Sequence, residues 1–252
     1  MNIKKYIPNL LTLGNLLSGT IAVIFAVQGE FVIAALLVLI GILFDFLDGF
    51  AARLLNISGE LGKQLDSLAD MVTSGVVPGI IMFRLFVDQN ILIYTNPQYP
   101  LEQYLINLNN NLLPFLGLLL TLGACYRLAK FNIDTRQSDS FIGLPTPAMS
   151  LFVISLPLIK MNTDIEFVQD LIANNYFLIA ITVLLTYLMN AELPLFSLKF
   201  KEYSVKNNLI KYVFLVVSLM MIIFLQYLSI PLIIVLYIIL SVISNVAKKA
   251  SV

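Results

Sequence analysis

Long apolar runs, broken at intervals by short polar stretches, dominate this chain. One membrane crossing takes roughly 20 mainly apolar residues. On that measure eight segments are predicted spans: 10–29, 31–55, 61–87, 112–133, 144–161, 171–190, 209–228 and 230–247. Only the short turn around Ser229 to Pro231 separates the last two. Ahead of the first run stands MNIKKYIPNL, basic at its start and followed by no small-residue cleavage site. It reads as a cytoplasmic, interfacial lead-in to a retained span, not as a signal peptide. The expected fold is all-α and integral to the membrane: a bundle of about eight transmembrane helices with a short N-terminal amphipathic interfacial helix. One membrane-embedded domain over 1–252 is expected, with the lead-in at 1–9, a six-span core at 10–190, and a basic loop with two further spans at 191–252.

Lysine and arginine placement gives the orientation. Lys4, Lys5, Arg53, Lys63, Arg127, Lys130, Arg136, the stretch Lys199 to Lys211, Lys248 and Lys249 all fall on one side of the predicted topology. The opposite connections are bare of them: 88–111 holds no basic residue and 162–170 only acids. Arg84 and Lys160 stand near span ends, from which long side chains can snorkel. Both termini are therefore expected in the cytoplasm, in a multi-pass protein of the cytoplasmic membrane. Lys199, Lys201, Lys206 and Lys211 make a basic loop suited to anionic headgroups or to anchoring.

Only 12% of residues are charged, against about 25% in soluble domains, which agrees with the spans. The net charge is zero, which argues against a nucleic-acid partner. There is no histidine, so Ser-His-Asp triads, imidazole zinc sites and histidine bases are excluded. A single cysteine, Cys125, rules out an intramolecular disulfide. Acid–base chemistry falls to carboxylates, lysines or tyrosines.

The carboxylates are where the pattern breaks its own rule. Asp45, Asp48, Asp66 and Asp70 lie inside or against predicted spans, although an aspartate at the bilayer centre costs about 2.5–3.5 kcal/mol on insertion scales. Positions 45, 48, 49 and 52 run at i, i+3, i+4, i+7 and share a helix face, as do 62, 66 and 70 at i, i+4, i+8. Turned together, these faces would gather four acids beside Gly49, Ala52 and Gly62. An all-oxygen set suits a hard dication such as Mg²⁺, Mn²⁺ or Ca²⁺. One such Asp alone could be a partner for an Arg or Lys, and Gly49 and Ala52 alone could be helix-packing residues. Four acids beside only Arg53 and Lys63 leave an excess that pairing does not neutralise.

The full string D-x2-D-G-x2-A-R-x8-G-x3-D-x3-D, filled from Asp45 to Asp70, resembles the signature of the CDP-alcohol phosphatidyltransferases. The resemblance implies transfer of a phosphatidyl group from a CDP-linked lipid to an alcohol, with release of CMP. It implies that Asp45, Asp48 and Asp66 bind metal (Mg²⁺ or Mn²⁺, two per site) and that Asp70 binds metal and acts as general base. Gly49, Ala52, Arg53 and Gly62 would line the nucleotide pocket. It also implies a homodimer.

Three further segments resemble the phosphatidylserine synthase branch: PNLLTLGN from Pro8, RLAKFN from Arg127 and GLPTPA from Gly143. The implied substrates are CDP-diacylglycerol and L-serine, in contact with membrane lipids. Thr12, Asn15 and Gly19 form a small polar stripe on the first span, open to packing or, for Asn15, nucleotide contact. Arg127 and Lys130 could anchor the fourth span or cradle the diphosphate or the carboxylate of serine. Pro145 and Pro147 are placed to start the fifth span, and Thr146 could reach the pocket. Two alternatives stay open at this level: the same chemistry with glycerol 3-phosphate or inositol phosphate as acceptor, and a cation-coupled transporter using the aspartates as an ion site.

Overall fold

A computed structural model of the chain describes residues 6–57, 59–90, 111–134, 141–196 and 208–250. The lead-in residues 1–5, most of the outer connection (91–110), Arg136, and Lys199, Lys201 and Lys206 of the basic loop lie outside the described residues.

Helix α1 (Ile7–Gln28) begins where Pro8, with its fixed φ, occupies the first turn. It absorbs Ile7 to Asn9 into the first span, so no separate interfacial helix precedes it among the described residues. It ends at Gly29, whose φ of 84° only glycine adopts without strain. The Gly29 and Glu30 N–H groups return to the carbonyls of Ala26 and Phe25 at 3.1 and 2.9 Å. Helix α2 (Phe31–Leu54) therefore folds straight back on α1. Small residues make the pair close: Ala22 and Ala26 on one side, Ala34, Ala35 and Val38 on the other, all 3% exposed or less. Ser18 Oγ donates across to the Leu37 carbonyl at 2.6 Å.

The third crossing is one long rod in three registers: α3 (Glu60–Asp70), a π-helical segment Met71–Val76, and α4 (Val77–Asn90). A 3₁₀ turn (Leu113–Leu118) leads into α5 (Leu119–Ile133). A two-residue antiparallel bridge, β1 (Phe141–Ile142) with β2 (Pro194–Leu195), is the only departure from helix-and-turn structure among the described residues. Between its strands come α6 (Thr146–Asn162), α7 (Glu166–Ile172) and α8 (Asn175–Asn190). Asn174 caps α8 by accepting from the Tyr176 and Phe177 N–H groups, and this fresh start bends α7 and α8 by 67°. Helices α9 (Leu209–Leu225) and α10 (Ser229–Ala250) complete the chain.

Every predicted segment is helical, but the expected count of eight crossings is not reproduced. By length and composition five helices could cross a membrane, or six with the bent α7–α8 pair taken as one. The chain is thus an all-helical, multi-pass membrane protein. Two features account for the difference. Helix α6 has only 17 residues, about 25 Å at 1.5 Å per residue, short of a full crossing. It is the central core helix instead: eleven of its residues are buried. The other is the apolar stretch Leu209–Asn245, one of the five by continuous hydropathy although it reverses at Gln226, where φ is 47°. The reversal brings the rings of Phe214 on α9 and Tyr237 on α10 to 5.7 Å. The turn falls at Gln226–Leu228, a few residues before the position expected from Ser229 to Pro231.

The C-terminal hairpin is tied on by the residues around β2. Tyr237 donates to the Phe196 carbonyl at 2.8 Å and Asn245 to that of Pro194 at 2.6 Å. The core proper runs between α4 (Ile81, Met82, Leu85, Phe86), α6 and α8 (Leu178, Leu185, Met189). Outward faces stay apolar, with Leu10, Leu17, Leu43, Leu122 and Phe224 all more than half exposed, as a lipid-facing surface requires.

Candidate metal and nucleotide site

The α2–α3 turn sets the two acidic faces against one another. Helix α2 closes with the Leu55 and Ile57 N–H groups on the carbonyls of Ala51 and Ala52 at 2.9 Å, and Asn56 takes a left-handed conformation (φ 52°). Helix α3 then returns antiparallel. Three of the four acids converge: one carboxylate oxygen from each of Asp45, Asp48 and Asp66 lies within 4.8 Å of the others. Asp70 is outside this triad, one helical turn further along α3.

Two observations bear on whether these residues fit a dication. Among the described residues no ion pair reaches any of the four aspartates, whereas Arg84 pairs with Asp88 and Lys130 with Glu192. In addition, Asp66 Oδ1 is buried with no hydrogen-bond partner. Converging, unneutralised carboxylates with an orphaned buried oxygen are unstable as anions alone. The oxygen-only donor set fits a hard cation.

A cleft of about 1110 Å³ opens beside the triad. Asp48, Asp66, Gly49, Ala52, Arg53 and Gly62 all line it, together with Thr12, Asn9 and Lys63. The glycines there do not serve helix packing. A Cβ on Gly49 would meet only Arg53 Nη1 at 3.7 Å, and one on Gly62 only Asn9 Oδ1 at 3.5 Å. Elsewhere the opposite holds: a Cβ on Gly117 would stand 2.5 Å from the Phe83 nitrogen. The motif glycines therefore keep open space for a ligand.

Helix α1 supplies partners whose importance the sequence reading understated. Thr12 Oγ1 donates to Asp48 Oδ2 at 2.5 Å, with the Pro8 carbonyl 3.1 Å away as a second acceptor. Asn15 is fully buried and is not among the residues lining the cleft. Its Nδ2 donates to Asp70 Oδ1 at 3.1 Å, and its Oδ1 accepts from Thr73 Oγ1 at 2.7 Å. Thr73, absent from the sequence candidates, lies three residues after Asp70, a spacing that could have flagged it.

The acceptor candidates separate. Arg127 is buried at 7% exposure on α5, within electrostatic range of Asp70 but not ion-paired to it, with Nε unpartnered. Lys130 turns away to an exposed ion pair with Glu192 at 2.7 Å. Thr146 is buried at the start of α6 and does not line the cleft. Asn132, two residues beyond Lys130, donates to Ser67 Oγ at 2.8 Å, and Lys63 Nζ donates to the Asn132 carbonyl, so α5 is pinned to α3 beside the site.

Comparison with known proteins bears on the same residues. A profile of the CDP-alcohol phosphatidyltransferase family matches residues 5–188, which include the aspartates, Arg127 and Thr146. A CDP-diacylglycerol–serine O-phosphatidyltransferase of Bacillus subtilis is 34% identical over 156 residues, covering 60% of this chain and 75% of that one. A protein of the same description from Helicobacter pylori is 34% identical over 149 residues, 58% of this chain and 55% of its own. The archaetidylserine synthase of Methanothermobacter thermautotrophicus is 30% identical over 188 residues, covering 71% and 72%.

Proposed function

Since the chain belongs to the CDP-alcohol phosphatidyltransferase family, we propose that it transfers the phosphatidyl group of CDP-diacylglycerol to the hydroxyl of L-serine, giving phosphatidylserine and CMP. The observation that carries the reading is the convergence of Asp45, Asp48 and Asp66 beside a cleft of nucleotide size, which Asp48 and Asp66 line, with Asp70 one turn away. The names of the similar proteins support serine as the acceptor.

Asp45, Asp48 and Asp66, with Asp70, would hold Mg²⁺ or Mn²⁺, two ions per site. Such a dication supplies charge neutralisation for a diphosphate and its leaving group. Gly49, Ala52 and Gly62 leave room for the cytidine and ribose, and Arg53 at the rim offers its planar fork to phosphate oxygens. The serine oxygen bonds to the phosphatidyl phosphorus as the bond from that phosphorus to the CMP oxygen breaks. Asp70 accepts the hydroxyl proton. Arg127, a buried cation with an unused Nε–H, is suited to the carboxylate of serine or to the phosphate it attacks. Lys130 and Thr146 act, if at all, from the periphery of that pocket.

The site faces the cytoplasm in this reading, with both termini on that side of the cytoplasmic membrane, as the basic residues indicate. The whole chain works as one catalytic unit, its core at 10–190 and its last hairpin accessory. The family resemblance supports a homodimer.

The test is CMP release by the purified full chain with labelled CDP-diacylglycerol and Mn²⁺ or Mg²⁺. Release is expected with serine, unaffected by excess glycerol 3-phosphate or inositol phosphate, and lowered by about 10²–10⁴-fold in Asp70→Asn. Displacement of serine by either phosphate-bearing alcohol would reassign the acceptor.

A further inference from the structure

Resting on the reading above, we infer that Thr73 is a positioning residue for the transfer: its hydroxyl locks the Asn15 amide, and that amide aims the Asp70 carboxylate.

The chemistry of the three groups permits one arrangement. An ionised carboxylate only accepts, so Asn15 must turn its NH₂ toward Asp70. Its carbonyl oxygen then faces Thr73, whose hydroxyl donates to it at 2.7 Å, the Asn15 backbone carbonyl standing as the longer alternative acceptor at 3.2 Å. Without that hydroxyl the buried Asn15 oxygen loses its donor, and the amide that carries the Asp70 bond is no longer held in place from its far end. With it, Asp70 Oδ1 is held at 3.1 Å and the second oxygen is left for the substrate hydroxyl.

Like Thr12 and Thr121, Thr73 sends its hydroxyl across to another element. Thr20, Thr182 and Thr186 each donate to the carbonyl four residues back in their own helix, the ordinary habit of a helical threonine. Thr73 reaches across to another helix instead. It stands in the π-helical segment Met71–Val76, where the normal i→i−4 register is lost.

Neighbouring helices fix it there through glycines. A Cβ on Gly19 would lie 2.9 Å from the Thr73 Cα, and one on Gly41 would lie 2.7 Å from its Cγ2 and 2.8 Å from Asn15 Oδ1. Thr73 and Asn15 are both 0% exposed. Glycine at these two positions thus lets α1 and α2 pack closely against Thr73 and Asn15.

The experiment compares Thr73→Val, which keeps the shape and loses the donor, with Thr73→Ser, which keeps the donor. The full-length enzyme is used, with CDP-diacylglycerol, serine and saturating Mn²⁺. Thr73→Val is expected to lower kcat by about 10–100-fold, the size of a misaligned reacting group, with the KM for the donor changed less than about 2-fold. Thr73→Ser should recover most of the turnover. In an Asn15→Ala background Thr73→Val should cost nothing more, because the two act as one unit.

Full kcat in Thr73→Val, an equal fall in Thr73→Ser, or additive losses in the double variant would each overturn the inference. If the valine variant does not fold, Thr73→Ala against Thr73→Ser makes the same comparison. A wild-type enzyme that ignores serine but uses another alcohol would remove the serine assignment alone, and the Thr73 series is then read on that alcohol.

Discussion

Thr12 and Lys130 show how differently two residues of the same apparent standing can end. Thr12 lies on the polar stripe of the first span, yet its hydroxyl is committed to Asp48 at 2.5 Å, making it part of the wall that orients a proposed metal ligand. Partners of this kind are worth about 10–100-fold in metal affinity. Thr12→Val is therefore expected to raise the Mn²⁺ concentration for half-maximal activity about 10-fold, with no large change in thermal midpoint; a Mn²⁺ titration of turnover measures it. The stripe itself was legible, since i, i+3 and i+7 positions always share a face. Which acid Thr12 would meet was not, because that depends on how far α1 slides along α2. Lys130 is the converse. Its spacing from Arg127 puts both on one side of α5, but the ends of long side chains diverge: Arg127 is buried near Asp70 and Lys130 pairs with Glu192. An exposed ion pair of that kind contributes about 0–1 kcal/mol.

Among the elements, the third rod and its glycine contacts decide most. The helical period placed Asp66 and Asp70 on one face correctly. It gave no warning of the π segment directly after Asp70, whose shifted register sends Thr73 across to α1. Glycines of two kinds hold this arrangement, and sequence cannot tell them apart. A Cβ on Gly117 would stand 2.9 and 2.5 Å from backbone atoms of Met82 and Phe83, so a methyl group there forces the 3₁₀ turn and α4 apart. Gly117→Ala is expected to destabilise by about 1–3 kcal/mol, seen as a lowered unfolding midpoint in detergent. Gly49 has open cleft beyond it. Gly49→Ala should leave the midpoint in place and raise the KM for CDP-diacylglycerol, a split that the two measurements together report.

At the level of the whole molecule, orientation follows from charge and the site's access follows from orientation. Asn56, exposed in the α2–α3 turn, lies on the mouth of the cleft. With Cys125→Ser removing the exposed native thiol, Asn56→Cys is expected to react with a membrane-impermeant maleimide in inverted vesicles and not in right-side-out ones. The reverse result would put the cleft on the outer face.

The sequence by itself determined which segments are helical, which faces carry the acids, and the family to which the motif belongs. Those follow from local rules: a fixed 3.6-residue period and the high cost of charge in lipid act within a single segment. The tertiary structure decided what lies between segments. It set the turn of the expected C-terminal hairpin at Gln226, buried α6 as the central core helix, and joined Thr73, Asn15 and Asp70 into one chain of hydrogen bonds. Such contacts depend on helix approach to within an atom's width, set by where glycine and alanine fall on two helices at once, and no single helix records that.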